Sequence, residues 1–333
     1  MTALLSLDGV TKRFAAGSDM LGRPTAHLTA VADVSLSVAP GETLGIVGES
    51  GSGKSTLGRI MLRLLTASEG QVSFDGRDIT GVEGRDLRRL RSEMQMVFQD
   101  PYSSLDPRMR VRDIVAEALV NQGMPRRQIN DRVAEVLETV GLSPEHGARF
   151  PHAFSGGQRQ RIGIARALAA KPRLIVCDEA VSALDVSVQA QILTLLRRIQ
   201  AETGVALVFI SHNLGVVRFL CHRIAVLYLG RIVEIGTAEQ LFESPQHPYT
   251  QALLAAIPEP GAGRGRIEVP GGEIPNPIHP PPGCAFHQRC PRMQPQCRER
   301  RPDLAERAAG HHAACHNPGP MGAETDPDRR KDR

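Results

Sequence analysis

The sequence contains the stretch Gly48-Glu49-Ser50-Gly51-Ser52-Gly53-Lys54-Ser55-Thr56. An apolar run precedes it at residues 43–47 and a helix-like run follows it at residues 57–65, which is the strand–loop–helix context of a phosphate-binding P-loop. Glycines let the backbone curl so that successive N–H groups point inward, and the helix adds the positive end of its dipole. The stretch therefore predicts nucleotide binding, with Lys54 on the β- and γ-phosphates and the Ser55 hydroxyl on Mg²⁺.

A second apolar run ends in two acids. Residues 174–177 read as a buried strand, and Asp178 and Glu179 follow it directly. Such a strand carries Asp178 to the sheet edge near the phosphates, where it holds Mg²⁺, and leaves Glu179 one residue further, where it deprotonates the attacking water. The alternative is an ordinary acidic turn after a core strand, which the neighbouring P-loop disfavours.

Composition describes a soluble globular protein of one large domain with an extension, or of two average domains. Of the 333 residues, 41% are hydrophobic, and the net charge of +4 is too small to indicate a nucleic-acid partner. Asp8 interrupts the N-terminal apolar run, so we expect no secretory signal, and no run approaches the ~18 apolar residues of a membrane span. We therefore expect a cytosolic protein, in which the six cysteines stay reduced and do not form disulfides.

Strand and helix patterns alternate along the first two thirds of the chain. Alternation of this kind predicts an α/β sheet whose ligands bind at the carboxyl ends of the strands. We expect strands at residues 4–10 and 31–38, with a polar loop at residues 15–28 between them. A purely helical insert at residues 111–142 interrupts the alternation.

Further motifs lie in a fixed order after the P-loop. They are Gln99, Ser155-Gly156-Gly157-Gln158, Asp178-Glu179, Ser182-Ala183-Leu184-Asp185 and His212. In order and spacing, the region from Leu4 to Gly236 resembles the ATP-binding cassette (ABC) ATPases. The resemblance implies a P-loop NTPase-type sheet core with an antiparallel β subdomain and a helical signature subdomain.

The resemblance also implies a role for each motif. Two chains face each other head to tail, and the signature residues 155–158 and Asp185 of one chain close over the ATP of the other. Gln99 touches Mg²⁺ and the attacking water, and His212 contacts the γ-phosphate, although a lone histidine after a strand is more often structural. Phe14 takes the place of the aromatic that stacks on adenine, and a core phenylalanine is the alternative.

Three stretches outside the catalytic motifs resemble the ATPase subunits of oligopeptide and dipeptide importers, and they are closest to the second subunit of the pair. These are residues 99–107, 185–191 and 245–250. The implied function is ATP hydrolysis that powers peptide import, from a peripheral position on the cytoplasmic face of the membrane. The implied partners are a second ATPase subunit, different or identical, two membrane-spanning permeases and, indirectly, a substrate-binding protein. Import of nickel or another small solute is an alternative, and a soluble non-transport ABC ATPase is the rival class.

Four of the six cysteines, Cys284, Cys290, Cys297 and Cys315, lie near the C-terminus. Four thiolates can hold one iron–sulfur cluster or one zinc ion, and the spacing lacks the C-x2-C of zinc ribbons, so we favour [4Fe–4S]. Zinc, with His311 or His316 as a ligand, and loosely structured free thiols are the alternatives. The segment has few large apolar residues, so we expect a metal centre to supply its folding energy. Cys177 and Cys221 read as core residues.

Composition shifts divide the chain into three parts. We expect an ATPase domain at residues 1–257, with its helical subdomain at about residues 100–170. A Pro/Gly-rich linker and a small irregular Cys-rich extension follow at residues 258–316, and a disordered tail at residues 317–333.

Overall fold

A computed structural model describes residues 2–18, 24–257, 273 and 275–319 of the chain. The strands are β1 (Leu5–Ser18), β2 (Pro24–Val38), β3 (Thr43–Val47), β4 (Glu69–Phe74), β5 (Arg77–Asp78), β6 (Met94–Val97), β7 (Leu174–Asp178), β8 (Ala206–Ser211), β9 (Arg223–Tyr228), β10 (Arg231–Thr237), β11 (Ala305–Ala308) and β12 (His311–Ala313). The helices are α1 (Lys54–Met61), α2 (Gly84–Glu93), α3 (Val111–Asn121), α4 (Arg126–Thr139), α5 (Gly156–Ala169), α6 (Val186–Thr203), α7 (Leu214–Leu220), α8 (Ala238–Glu243), α9 (Pro248–Ala255) and α10 (Gln296–Glu299).

The larger sheet is built around parallel strands that are buried along their whole length. Its order is β11-β12-β10-β9-β3-β8-β7-β6. The five adjacent strands from β9 to β6 run parallel to one another. Every residue of β3, β7 and β8 is buried, as expected for strands covered on both faces. Their carboxyl ends therefore meet at one edge, where the residues that follow each strand come together.

A smaller antiparallel sheet, in the order β2-β1-β4-β5, packs beside the larger one. The predicted polar loop at residues 15–28 is wrong, because β1 continues to Ser18 and β2 begins at Pro24. Cross-strand pairs such as Phe14 with Leu28 and Ala16 with Ala26 extend the ladder here. Backbone pairing along the hairpin stabilises these strands although their composition suggests a loop.

The helical insert forms as its apolar spacing predicts. Helices α3 and α4 occupy the predicted segment, and both pack on α5, which follows the signature motif. Buried Val133, Val136 and Leu137 line the inner face of α4 at helical spacing. This subdomain carries the signature residues on the surface of the molecule.

The C-terminal extension is more regular than predicted. Strands β11 and β12 form a hairpin, and β12 pairs with β10, with Glu234 opposite Ala313, so the extension lengthens the main sheet. The expectation of an irregular segment is wrong because β10 offers an open edge with which the hairpin pairs. Residues 258–272 and 274 of the predicted linker and residues 320–333 of the predicted tail lie outside the described residues.

Candidate nucleotide-binding site

The P-loop connects β3 to α1 and requires glycine at two positions where the backbone of another segment lies close. A Cβ on Gly48 would lie 2.2 Å from the carbonyl oxygen of Leu227, and one on Gly53 would lie 2.1 Å from that of Ala30. Gly53 is also the N-cap of α1 and has a left-handed backbone, with φ 99°. The loop is therefore held in its curled shape by the strands around it.

Lys54 is buried within the loop. Its Nζ donates hydrogen bonds to the carbonyl oxygens of Gly48 and Glu49, each at 2.8 Å. Burial lowers the pKa of Lys54, and the nearby carboxylates of Glu179, Asp178 and Glu49 act in the opposite direction. The ammonium thus lies among the P-loop carbonyls, close to where phosphates bind in P-loops.

Ser55 and Asp178 meet at the start of α1. The Ser55 hydroxyl donates to Asp178 Oδ1 at 2.8 Å, and Asp178 is almost fully buried. Burial raises the pKa of Asp178, while the Ser55 hydrogen bond and the charge of Arg59 lower it. A hydroxyl and a carboxylate side by side provide oxygen ligands of the kind that Mg²⁺ prefers, so these two residues fit the predicted ion.

Glu179 is the centre of a second cluster. Gln99 Nε2 donates to Glu179 Oε2 at 3.0 Å, and His212 Nδ1 lies 3.4 Å from the same oxygen. These side chains follow three different strands, β6, β7 and β8, whose carboxyl ends share one edge. Glu179 has a left-handed backbone, with φ 47°, which is uncommon for a residue with a side chain and is a feature of functional sites. The three residues predicted separately from the sequence thus lie together, and their catalytic roles stay predictions.

The signature residues form a separate surface feature. Ser155 is exposed and begins α5 with a capping box, in which the Gln158 N–H donates to Ser155 Oγ and the Ser155 N–H donates to Gln158 Oε1. A Cβ on Gly156 would lie 3.5 Å from Leu184 Cδ2, so the segment leading to Asp185 packs against the signature. Asp185 is exposed and is the N-cap of α6. The structure thus places the two motifs side by side.

Phe14 lies on β1 and is only half-buried. It pairs with Leu28 across the hairpin, and Lys12 Nζ lies 5.2 Å from its ring centroid. A ring in this position does not belong to the buried core, so the core alternative is wrong. Stacking of Phe14 on adenine stays a prediction.

The sequence did not predict the contacts that support the P-loop from behind. The Glu49 N–H donates to the Tyr249 hydroxyl at 2.8 Å, and Arg289 makes a bidentate ion pair with the Glu49 carboxylate at 2.8 and 2.9 Å. Tyr249 is in turn positioned by His247, whose Nδ1 accepts the Tyr249 N–H and caps α9. Residues 245–250 were noted for their family resemblance, but the sequence gave no signal that they reach the P-loop.

The C-terminal cysteines are free thiols, with Cys297 buried and the other three half-buried. Within the described ranges, no group of three or more His, Cys, Asp or Glu side chains is placed to hold a metal ion. Zinc ligation by His311 is wrong, because His311 Nε2 lies 2.8 Å from the buried carboxylate of Glu234. His316 Nε2 lies 2.8 Å from the carbonyl oxygen of Arg300.

The expectation that a metal must supply the extension's folding energy also needs correction. Phe286, from the middle of the cysteine segment, is fully buried. Its ring centroid lies 5.3 Å from that of Tyr228 and 5.4 Å from that of Tyr249. The extension therefore shares the core of the ATPase region, and this burial contributes to its stability without a metal. As predicted, Cys177 and Cys221 are buried, and burial raises the pKa of Cys177 to about 12.

Comparison with known proteins agrees with this geometry. Residues 31–182 match the ABC transporter family, and residues 233–297 match the C-terminal region of oligopeptide/dipeptide transporters. The probable peptide ABC transporter ATP-binding protein y4tS of Sinorhizobium fredii is 52% identical over 96% of this chain and 92% of that protein. The oligopeptide transport ATP-binding protein AppF of Bacillus subtilis is 48% identical over 94% of this chain and 97% of that protein. The chain belongs to the ABC transporter ATPase family.

Solved ABC structures share its fold. The dimeric ATP-binding cassette MJ0796, in a post-hydrolysis state bound to ADP and Pi, superimposes with a TM-score of 0.63 at 30% identity. The match covers 70% of this chain and 98% of that one. As an ABC ATPase, the chain binds ATP with Mg²⁺ and hydrolyses it. Over the part of the chain that the structure describes, no helix is both long and apolar enough to cross a membrane.

Proposed function

We propose that this chain is the ATP-binding and ATP-hydrolysing subunit of an importer that carries peptides across the cytoplasmic membrane. The observation that carries the proposal is the similarity along nearly the whole chain to relatives named for peptide or oligopeptide transport. The match of residues 233–297 to the C-terminal region of such transporters supports it independently of the ATPase motifs. The subunit would be peripheral, on the cytoplasmic face of the membrane.

The proposed chemistry follows from the two clusters. P-loop N–H groups, with Lys54, would bind and orient the phosphates, and Ser55, Asp178 and Gln99 would hold Mg²⁺, which would neutralise phosphate charge. Glu179 takes a proton from the attacking water, because its carboxylate is at the carboxyl edge of the sheet and is oriented by Gln99. His212, whose Nδ1 lies 3.4 Å from Glu179 Oε2, would contact the γ-phosphate.

We propose that a second ATPase subunit covers the signature face. Ser155, Gly156 and Asp185 are grouped on the surface, and Val186, next to Asp185, is 82% exposed. A subunit that covers this face would also remove Val186 from solvent. We expect a different subunit as the partner, and an identical chain is the alternative.

A groove beside the Gln99 segment suits the permease subunits. Exposed Leu64 and Phe98 help to line a cavity of about 290 Å³, together with Glu117 and Ala118 of α3. Phe98 directly precedes Gln99, so a partner seated here would be coupled to the nucleotide site. A membrane-spanning subunit docked in this groove would transmit the nucleotide state, and a substrate-binding protein would act on the far side.

We retain an iron–sulfur cluster at Cys284, Cys290, Cys297 and Cys315 as a proposal. Burial raises the pKa of Cys284 to about 11, its sulfur accepts the Phe286 N–H, and the other three thiols lie near enough to influence it electrostatically. Backbone N–H groups also reach the sulfurs of Cys290 and Cys315. Such hydrogen bonds tune cluster thiolates. In the described residues the four thiols are not grouped closely enough to hold iron or zinc, so a bound cluster would require them to move together. Anaerobic purification followed by iron, sulfide and zinc analysis tests this, and protein without stoichiometric iron would contradict it.

Transport by the purified complex tests the main proposal. The chain is co-purified with its membrane subunits, reconstituted in proteoliposomes, and supplied with ATP and a labelled oligopeptide through the binding protein. Uptake should depend on ATP and stop in Glu179→Gln, while a substitution of the exposed Glu239 to Gln serves as the matched control. Uptake of nickel without peptide would contradict the proposal that peptides are the cargo. A complex that lacks membrane subunits would favour a soluble ABC ATPase.

A further inference from the structure

An ion pair joins the C-terminal extension to the phosphate-binding loop. Arg289 Nη1 and Nη2 lie 2.8 and 2.9 Å from the two carboxylate oxygens of Glu49. Arg289 ends a short 3₁₀ helix, residues 287–289, immediately before Cys290. The two residues are 240 positions apart in sequence, so this pair fixes the extension onto the P-loop.

The pair is largely removed from solvent. The Arg289 side chain is 7% exposed, and its guanidinium carbon lies 5.7 Å from the ring centroid of Phe286 and 6.0 Å from that of Tyr228. Bidentate pairs of this kind combine charge neutralisation with a fixed geometry. Truncating one partner would therefore leave the other charge poorly compensated.

Glu49 is an acid inside a loop that binds anions. Its charge acts on Lys54, whose ammonium also bonds to the Glu49 carbonyl oxygen. A second contact, from the Glu49 N–H to the Tyr249 hydroxyl, fixes the backbone at the same residue. Without a counter-ion, the Glu49 carboxylate would repel incoming phosphates and compete for Lys54.

We propose that Arg289 is a positioning residue for ATP binding, which neutralises Glu49 and holds the P-loop so that Lys54 stays available to phosphate. The extension then sets the ATP affinity of the site together with the ATPase core. This inference rests on ATP binding at the P-loop, and it does not depend on the nature of the cargo. It predicts that the effect of losing Arg289 depends on the presence of the Glu49 charge.

Equilibrium binding of a fluorescent ATP analogue to the full-length subunit tests the proposal. Arg289→Gln should weaken binding about tenfold, because the Glu49 carboxylate is left uncompensated. The double variant Glu49→Gln/Arg289→Gln also removes the uncompensated carboxylate, so it should regain most of the affinity that Arg289→Gln loses. Arg289→Lys should give an intermediate value, since an ammonium keeps the charge but not the bidentate geometry. Arg298→Gln, an exposed arginine of the same extension, is the matched control.

The outcomes separate this inference from the proposed function. If Arg289→Gln binds the analogue as wild type does, Arg289 has no positioning role. If the double variant is as weak as Arg289→Gln, the loss is due to damaged packing rather than to the Glu49 charge, and the proposal fails. The swap variant Glu49→Arg/Arg289→Glu restores the ion pair with the two charges exchanged. If this variant folds as wild type does but does not regain ATP affinity, the proposal also fails. A wild-type subunit that does not bind the analogue would instead contradict the proposed function.

Discussion

The P-loop and the signature segment are both glycine-containing turns that open a helix, yet the chain supports them very differently. Around the P-loop, Asp178, Tyr249 and Arg289 reach in from three distant parts of the sequence. The signature helix begins with Ser155 and Gln158 bonded to each other, on an exposed surface. The P-loop is completed by contacts from its own chain, whereas the signature helix begins at the exposed surface.

This difference indicates what each site needs in order to function. A loop whose backbone and lysine are held by surrounding strands and side chains is preorganised for phosphate, so one chain suffices for binding. A helix N-terminus with a satisfied cap and an open face can act on a ligand carried by another molecule. Binding and hydrolysis should therefore respond differently to substitutions in the two regions.

The largest expected effect comes from replacing Glu179, the proposed general base. Glu179→Gln should lower ATP turnover ~10²- to 10⁴-fold, because general-base help is lost while the hydrogen bond to Gln99 remains possible. ATP binding should persist, since the P-loop contacts are unchanged. Steady-state hydrolysis by the assembled complex, compared with equilibrium ATP binding, measures the two effects separately. Parental turnover in this variant would show that Glu179 is not the base.

A substitution at the signature should produce the same separation by a different route. Ser155→Arg should reduce hydrolysis by about 100-fold or more, because a bulky side chain blocks closure over the ATP of the facing subunit. The affinity of this chain's own P-loop for ATP should stay within a few-fold of wild type. A large loss of intrinsic ATP affinity in the isolated subunit would contradict the shared-site arrangement.

Ser155→Arg removes the cap of α5 as well as blocking closure over the facing ATP, so the two effects must be distinguished. Thr237 and Gln240 form an equivalent capping box at the start of α8, away from the signature. Thr237→Ala should lower stability by about 1 kcal/mol, as cap removals do, and should leave ATP turnover close to wild type. If turnover falls equally in Thr237→Ala and Ser155→Arg, the signature effect is only one of stability.

Local sequence patterns predicted which residues lie at the carboxyl edge of the sheet, because the chemistry there depends on short motifs. Gly48–Thr56, Asp178, Glu179 and His212 each follow an apolar strand, and parallel strands bring such residues together whatever the rest of the chain does. Gln99 was predicted in the same way. The roles of Phe14 and of the partner-facing residues depend on molecules that the chain does not contain, so these stay predictions.

Long-range contacts account for what the sequence did not predict. Nothing near Arg289 in the sequence indicates that its partner is Glu49, and nothing near Phe286 indicates that it packs on Tyr228 and Tyr249. The hairpin β11–β12 was missed because its strands are short and polar, and their pairing depends on the free edge of β10. In each case the deciding partner is far away in sequence.

A further effect concerns the residues that support the P-loop, and it should depend on pH. Burial lowers the pKa of His247 to about 4 from its ordinary 6.5, with Glu234 opposing this and Arg292 adding to it. Between these two values the unfolded chain binds more protons than the folded one at this position, so stability rises with pH and falls on acidification. Neutral His247 is therefore the form that caps α9 and positions Tyr249 against Glu49.

A variant without a titratable ring isolates this contribution. His247→Asn keeps a side-chain acceptor at the N-cap, so it should be close to wild type in stability at pH 7. Between pH 7 and pH 5, wild type should lose about 2 kcal/mol more free energy of unfolding than the variant, which follows from a shift of this size. Urea unfolding of both proteins at the two pH values measures the difference. Equal acid sensitivity would mean that folding does not lower the pKa of His247, and that acid does not weaken the P-loop support through this residue.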